Sequence, residues 1–292
     1  MTVRILQGDV RDVLPGLPAD SIDCIVTSPP FFRQRDYQAE GQIGQEQTPA
    51  DFADALAEVF AGLRRVLKPD GAAWLQLGDT YAAGGNGGGG SLVAKRRQWT
   101  GAHERKGWRR QAPGFKEKDI TLAPFVVADA LRADGWYLRA TIIWDKQVAT
   151  EPPRLDRPST AHEYLFLLAK QEAYRVRDPG EPWFRSTVWT IRPQPTFTGH
   201  PAVMPAELAR RCIVCSTREG DTVLDPFGGA GTTALVADAL CRDAVLVEIN
   251  PDYAAIAQRR IDAARSGPVD RARLLNDRAP IDFGPLFAGG AA

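Results

Sequence analysis

The chain has 292 residues, 44% hydrophobic and 25% charged, and its 36 basic and 36 acidic side chains cancel to a formal net charge of zero. This length supports one large α/β domain with an insertion, or two domains. The composition excludes collagenous and low-complexity classes, and no run approaches the roughly 20 apolar residues that a membrane helix needs. Met1 to Leu6 starts directly as a strand pattern, without the basic and apolar segments of a secretory leader, so an intracellular, cytoplasmic protein is expected.

Val3 to Gln7 alternates as a strand and ends at Gly8-Asp9. Ile22 to Thr27 is a second strand, and it runs into Ser28-Pro29-Pro30-Phe31-Phe32. Two consecutive prolines fix the backbone and donate nothing, leaving carbonyls free to accept. Arg33 to Gln47 is a polar stretch containing Gly41 and Gly44, and loops of that length are usually functional. Thr48 then caps a helix with Pro49 at its first position. Phe52, Leu56, Val59, Phe60, Leu63 and Val66 recur on one face of that helix. Lys68-Pro69-Asp70-Gly71 reads as a turn and Ala72 to Leu77 as a buried strand, completing a parallel crossover.

The character changes from Ala82 to about Lys118. A glycine run, Gly84 to Gly90 interrupted by Asn86, precedes a basic tract with Trp99 and Trp108. Between Ser91 and Lys118 stand Lys95, Arg96, Arg97, Arg105, Lys106, Arg109, Arg110, Lys116 and Lys118 against Glu104 and Glu117, a local excess of seven positive charges. Clustered cations among tryptophans suit a nucleic-acid backbone and its bases. Thr121 to Asp134 has helical periodicity and stops at Gly135. Trp136 to Trp144 and Glu163 to Ala169 read as two strands, expected to pair as an antiparallel sheet edge, and Pro205 to Cys215 as a helix. Of the four cysteines, Cys212 and Cys215 fall inside that helix, while Cys24 and Cys241 are scattered, so neither a disulfide framework nor a metal site is expected.

Val223-Leu224-Asp225 is an apolar run ending in an acid, followed by Pro226-Phe227-Gly228-Gly229-Ala230-Gly231-Thr232-Thr233 and an alanine-rich segment. Strand, glycine turn and helix in that order let a ligand approach the backbone near a helix N-terminus. A second strand, Val245-Leu246-Val247, ends in Glu248 about twenty residues on, where dinucleotide-binding folds place an acid for ribose hydroxyls. The two features together imply a nucleoside-bearing cofactor. The glycine spacing does not match Gly-x-Gly-x-x-Gly, which argues against a dehydrogenase. Asp252 to Ala264 is a last helix, and the tail from Ser266 to Ala292 has weak periodicity.

With Thr27-Ser28-Pro29-Pro30-Phe31 preceding Asp225-Pro226-Phe227-Gly228-Gly229-Ala230-Gly231-Thr232-Thr233, the sequence resembles the amino-methylating DNA methyltransferases of the permuted β group, from Gly8 to Ile261. The resemblance implies an α/β, Rossmann-like class I methyltransferase fold with circularly permuted motifs: a seven-stranded, mostly parallel sheet ordered 3-2-1-4-5-7-6. The Asp225 strand is then strand 1 and the Val26 strand is strand 4. The implied divisions are 1–81 (catalytic half), 82–120 (basic insertion for DNA contact), 121–265 (remainder, with the cofactor loop) and 266–292 (tail). The implied methyl donor is S-adenosylmethionine, leaving as S-adenosylhomocysteine, without a metal. Asp9 and Val10 are assigned to the adenine end, Glu248 to the ribose, and His200, Pro201, Ala202, Thr232 and Thr233 to the methionine end, with Ile249 also in the cofactor set. Thr27, Asp225, Phe227, Gly228, Gly229 and Gly231 complete the cofactor set. Ser28, Pro29, Pro30 and Phe31 are assigned to catalysis on a flipped base. Arg33, Lys95, Arg96, Arg97, Arg105, Lys106, Arg109 and Arg110 are assigned to DNA.

In this class serine before Pro-Pro is commoner among cytosine-N4 enzymes, so N4-methylcytosine is favoured, with adenine-N6 methylation as the alternative. Carbon-5 methylation is disfavoured because no cysteine follows a proline to supply a thiolate. A DNA-binding pseudoenzyme and an RNA or protein amino-methyltransferase stand as further alternatives. The implied partner is DNA, with a homodimer and a cognate restriction endonuclease as candidates, in a bacterial or phage-like, nucleoid-associated setting.

Overall fold

A strand buried on both faces reads as an unbroken apolar run, and β2 (Ile22–Thr27) is such a strand, with all six residues buried. The computed structural model describes residues 1–37, 39–82, 113–149, 155–193 and 204–266. Around β2 these residues form one eight-stranded sheet. Its members are β1 (Val3–Gln7), β2, β3 (Leu67–Leu77), β4 (Tyr137–Asp145), β5 (His162–Ala169), β6 (Val188–Thr190), β7 (Thr222–Asp225) and β8 (Asp243–Glu248). The spatial order is β1-β8-β7-β2-β3-β5-β4-β6. The first five are mutually parallel, β5 runs antiparallel between β3 and β4, and β6 is parallel to β4.

The order 3-2-1-4-5-7-6 expected from the motifs is therefore present, with one strand more than the seven anticipated. The addition, β6, makes the edge and leaves β4 inside the sheet. Three residues of mixed burial carry too short a pattern to announce a strand, and pairing of Ile143, Trp144 and Asp145 with Val188, Trp189 and Thr190 supplies it.

Helices cover both faces. On one lie α1 (Val10–Val13), α2 (Pro49–Val66) and α3 (Ala123–Ala133), on the other α4 (Ala206–Ser216), α5 (Thr232–Ala239) and α6 (Pro251–Ser266). Thr48 and Asp51 form a capping box at the start of α2, and its apolar stripe from Phe52 to Val66 is buried.

The turn expected at Lys68 to Gly71 is instead part of β3, which follows α2 without a break. The register against β2 slips there, from Ile22↔Leu67 to Cys24↔Ala72. The extra residues place Lys68 Nζ 2.7 Å from the buried carboxylate of Asp23 and set Asp70 against Arg175 at 2.7 Å. A Cβ at Gly71 would stand 2.6 Å from Leu67 Cδ1 and 2.9 Å from the Asp23 carbonyl oxygen, so this irregular stretch needs a glycine.

β7 and β2 are neighbours, and the chain leaves them toward opposite sides of the sheet. Open parallel sheets bind ligands at such a switch point, beyond the strands' carboxyl ends. The ends of β7, β2, β8 and β1 all face this point, although Thr27 and Asp225 are 198 residues apart in sequence.

Candidate active site

The first wall of the site is the glycine loop after β7. Asp225 is buried, and its carboxylate accepts hydrogen bonds from Thr27 Oγ1 (2.9 Å), Thr233 Oγ1 (2.7 Å) and the Phe227 backbone N–H (3.1 Å). One side chain thus staples the ends of β2 and β7 to the first turn of α5. Burial pushes its pKa up to about 6, outweighing the three hydrogen bonds that pull it down. Gly229 (φ 49°) and Gly231 (φ 79°) are left-handed, a region that most side chains avoid. Glu248, at the end of β8, accepts from the Gly229 N–H at 2.7 Å and from the Asn250 N–H at 2.8 Å. Each of its oxygens retains a lone pair for a further donor. Burial raises the Glu248 pKa as well. Sequence reasoning missed Arg260 of α6, which is buried under the loop and donates to the Ala230 carbonyl and to Thr232 Oγ1.

The second wall is the turn after β2. Pro29 is buried and Ser28, Pro30 and Phe31 are half-buried. A Cβ at Gly78 would lie 2.7 Å from Phe31 Cε2, so the ring position depends on that glycine. Phe32 turns inward against Phe52, with ring centroids 5.7 Å apart. The described residues of 33–47 form no helix or strand, yet they are anchored. The Arg33 N–H donates to the Gly44 carbonyl at 2.8 Å, Arg11 Nη2 to the Gly41 carbonyl at 2.7 Å, and Asn250 Nδ2 to the Tyr37 carbonyl at 3.4 Å. Tyr37 also meets Tyr253 of α6 edge-on, at 6.3 Å.

The two walls enclose a cavity of about 870 Å³. Asp9, Val10, Ser28, Pro29, Pro30, Phe31, Asp225, Phe227, Gly228, Gly229, Thr232, Thr233, Glu248 and Ile249 all line it. The Asp9 carboxylate caps α1 and pairs with Arg11 at 2.5 Å, which lowers its pKa.

Three expected residues do not line the cavity. Thr27 is fully buried behind it, its hydroxyl committed to Asp225. Gly231 faces α6, where a Cβ would come within 2.8 Å of Ala257 Cβ, so it serves helix packing. Arg33 sits half-buried beside the cavity on a left-handed backbone (φ 50°). His200, Pro201 and Ala202, and Lys95, Arg96, Arg97, Arg105, Lys106, Arg109 and Arg110, lie outside the described residues. The bridge Tyr81↔Ile120 brings the two ends of the basic insertion together.

A third wall was not foreseen. Gln76, Asp79, Lys146, His162 and Glu163 also line the cavity. Lys146 follows the carboxyl end of β4, where the switch-point rule would look for ligand groups. Glu163 lies at the start of β5, and only antiparallel pairing brings a strand's start to that edge. No group of metal-ligating side chains occurs among the described residues, and no described helix is long and apolar enough to cross a membrane.

A cradle of glycine backbone beside a carboxylate with spare lone pairs fits the ribose of a nucleoside cofactor, and the chain is similar to known methyltransferases. A DNA methylase family model, the N6/N4 methyltransferase group, matches residues 22–259. The chain is 40% identical to the type II methyltransferase M.SmaI of Serratia marcescens, over 88% of this chain and 90% of that one. The Thermus thermophilus protein TTHA0409, solved with S-adenosyl-L-methionine, is 27% identical with a TM-score of 0.65, covering 91% of this chain and 95% of that one. PvuII DNA methyltransferase (cytosine-N4-specific) shares the fold, with a TM-score of 0.67 over 99% of this chain and 94% of that one at 19% identity. The glycine loop and the Ser-Pro-Pro turn both fall within the matched span, and the chain belongs to the amino-methylating N6/N4 DNA methylases.

Proposed function

We propose that this protein transfers a methyl group to the exocyclic N4 amine of a cytosine flipped out of DNA. The coarser statement, an S-adenosylmethionine-dependent DNA amino-methyltransferase, follows from family membership. The observation that most supports methylation of an exocyclic amine is that Ser28, Pro29 and Phe31 line the same cavity as the Gly228-Gly229 loop and Glu248. An exocyclic amine is a poor nucleophile because its lone pair is delocalised into the ring. The Ser28 hydroxyl and the Pro29 carbonyl accept its hydrogens, which favours a tetrahedral nitrogen with the lone pair released. Phe31 stacks on a base that has left the duplex. S-adenosylmethionine supplies an electrophilic methyl on a sulfonium, and positioning the amine in line with it is the protein's main contribution. Ser28 is the reason for preferring cytosine.

The test is incubation with isotopically labelled S-adenosylmethionine and assorted DNA, followed by nucleoside mass spectrometry. N4-methylcytosine is expected. N6-methyladenine as the main product would overturn the choice of base, and unlabelled DNA from folded, cofactor-binding protein would favour the pseudoenzyme reading.

Glu248 is assigned to the ribose. Glu248→Gln keeps an oxygen for one of the two backbone N–H groups, turns an NH2 toward the other, and removes the charge from the bonds to the ribose. Affinity for S-adenosylmethionine is expected to fall by about 1–3 kcal/mol. Calorimetry with an unchanged dissociation constant would remove Glu248 from the site.

The insertion is assigned to the DNA backbone on its charge. Neutralising Arg96, Arg97, Arg109 and Arg110 is expected to flatten log affinity against log salt by up to about one unit of slope per lost phosphate contact. An unaltered slope would make the insertion a spacer. A homodimer and a partner endonuclease remain proposals that sedimentation and a search for matching cleavage activity would decide.

A further inference from the structure

The third wall of the cavity contains an ion pair to which the mechanism above gives no role. Gln76 lies near the end of β3, Lys146 just beyond β4 and Glu163 at the start of β5. The antiparallel placement of β5 brings them together, with Gln76 opposite Leu165 and Trp144 opposite Glu163. Lys146 Nζ donates to Glu163 Oε1, and Gln76 Nε2 donates to Glu163 Oε2. Gln76 is 2% exposed and Lys146 5%, and the ammonium sits 4.8 Å from the centre of the Trp144 ring. The set adjoins the catalytic turn: a Cβ on Gly78 would be 2.7 Å from the Phe31 ring and 3.2 Å from Glu163 Cγ, so both side chains flank one glycine.

A buried ion pair is an inefficient way to join two strands, because desolvation offsets much of the attraction and a hydrophobic pair would serve as well. All three residues line the cavity, where a few placed polar groups orient a ligand. An ammonium has three N–H donors, and one is given to Glu163. On its Watson–Crick edge cytosine presents ring N3 and carbonyl O2, two acceptors side by side next to the N4 amine. Adenine presents one acceptor, N1, and then a C–H.

Building on the cytosine reading of this cavity, we propose that Lys146 is a specificity-determining residue that donates to N3 and O2 of the flipped cytosine while Ser28 and Pro29 hold its N4 amine. Glu163 and Gln76 are positioning residues: Glu163 fixes the ammonium and Gln76 fixes Glu163. The arrangement favours cytosine because only cytosine offers two adjacent acceptors beside its amine.

The test compares single-turnover methylation of duplexes carrying the target cytosine or 3-deazacytosine, in which ring N3 is replaced by C–H, by the wild type and by Lys146→Met. Easier flipping and altered amine basicity of the analogue act on both proteins and cancel in the comparison. The wild type is expected to lose about 10- to 100-fold on the analogue. Lys146→Met is expected to be slower by a similar factor on natural cytosine, to lose less than about threefold more on the analogue, and to bind S-adenosylmethionine within about twofold of wild type. If Lys146→Met does not fold, because Glu163 is left buried without its cation, the double variant Lys146→Met/Glu163→Gln removes both charges and carries the same comparison. An equal analogue penalty in wild type and variant, with N4-methylcytosine as product, would overturn the Lys146 contact alone. N6-methyladenine as product would overturn the choice of base and the N3/O2 contact together.

Discussion

Ser28→Ala is expected to methylate DNA about 10²–10³-fold more slowly than the wild type, the usual cost of removing one hydrogen-bonding group aimed at a reacting centre, while binding S-adenosylmethionine within about twofold. The two effects separate because of where Ser28 sits. It follows β2 directly, and the carboxylate that staples β2 to the cofactor loop bonds to Thr27, one residue earlier. Deleting the Ser28 hydroxyl leaves Thr27, Asp225, Thr233 and the glycine turn untouched, so the cofactor side of the cavity keeps its shape. Lost is an acceptor for one hydrogen of the target amine. The loss should appear in the chemical step rather than in the Michaelis constant for cofactor. Ser28→Asn, which restores an acceptor oxygen at the same backbone position, is expected to recover part of the rate. Single-turnover kinetics with calorimetry on the same preparations check both statements. Proportional loss of rate and cofactor affinity in Ser28→Ala would mean that Ser28 supports the cofactor loop instead.

Much of this site was legible in the sequence because its parts end strands. An apolar run closed by an acid marks β7 and β8, the Pro-Pro pair marks the end of β2, and Thr48 and Pro49 announce α2 through local capping chemistry alone. Other parts depend on contacts that no local pattern encodes. Lys68 to Gly71 has the composition of a turn, yet Asp23 and Arg175, distant in sequence, hold it as an irregular stretch of strand. β6 exists only because β4 pairs with it. Glu163 opens a segment recognised as a strand and Lys146 lies just past the end of another, but their meeting required knowing that β5 runs antiparallel between β3 and β4. An acid at a strand end is also a degenerate signal. Glu248 and Asp225 look alike in sequence, whereas the fold leaves Glu248 lone pairs facing the cavity and surrounds Asp225 with two threonine hydroxyls and a backbone N–H.

That difference makes Asp225 the source of the largest expected stability effect. Its pKa stands at about 6 in the fold, against an ordinary value of 3.8. Between those values the folded chain binds more protons at this group than the unfolded chain does, so stability falls as pH rises through the window. The stabilisation of the protonated form is fully present below about pH 4 and is lost above about pH 6, by an order-of-magnitude figure of about 3 kcal/mol. Asp225→Asn removes the charge and keeps a carbonyl oxygen for Thr27 and the Phe227 N–H, while its amide can donate to Thr233. Urea unfolding of both proteins from pH 4 to 8 is expected to show the variant gaining on the wild type by about 3 kcal/mol across the window. Whatever constant offset the amide introduces is visible at pH 4 and subtracts out. Glu248 also has a raised pKa, partly because of the Asp225 charge, so relief of that repulsion adds to the gain in the same direction. Asp225→Ala, by contrast, strands two buried hydroxyls and a backbone N–H, and is expected to lose about 3–5 kcal/mol. Parallel stability curves for wild type and Asp225→Asn would show that the carboxylate is ionised in the fold at its ordinary pKa, and that Thr27, Thr233 and Phe227 fully compensate its burial.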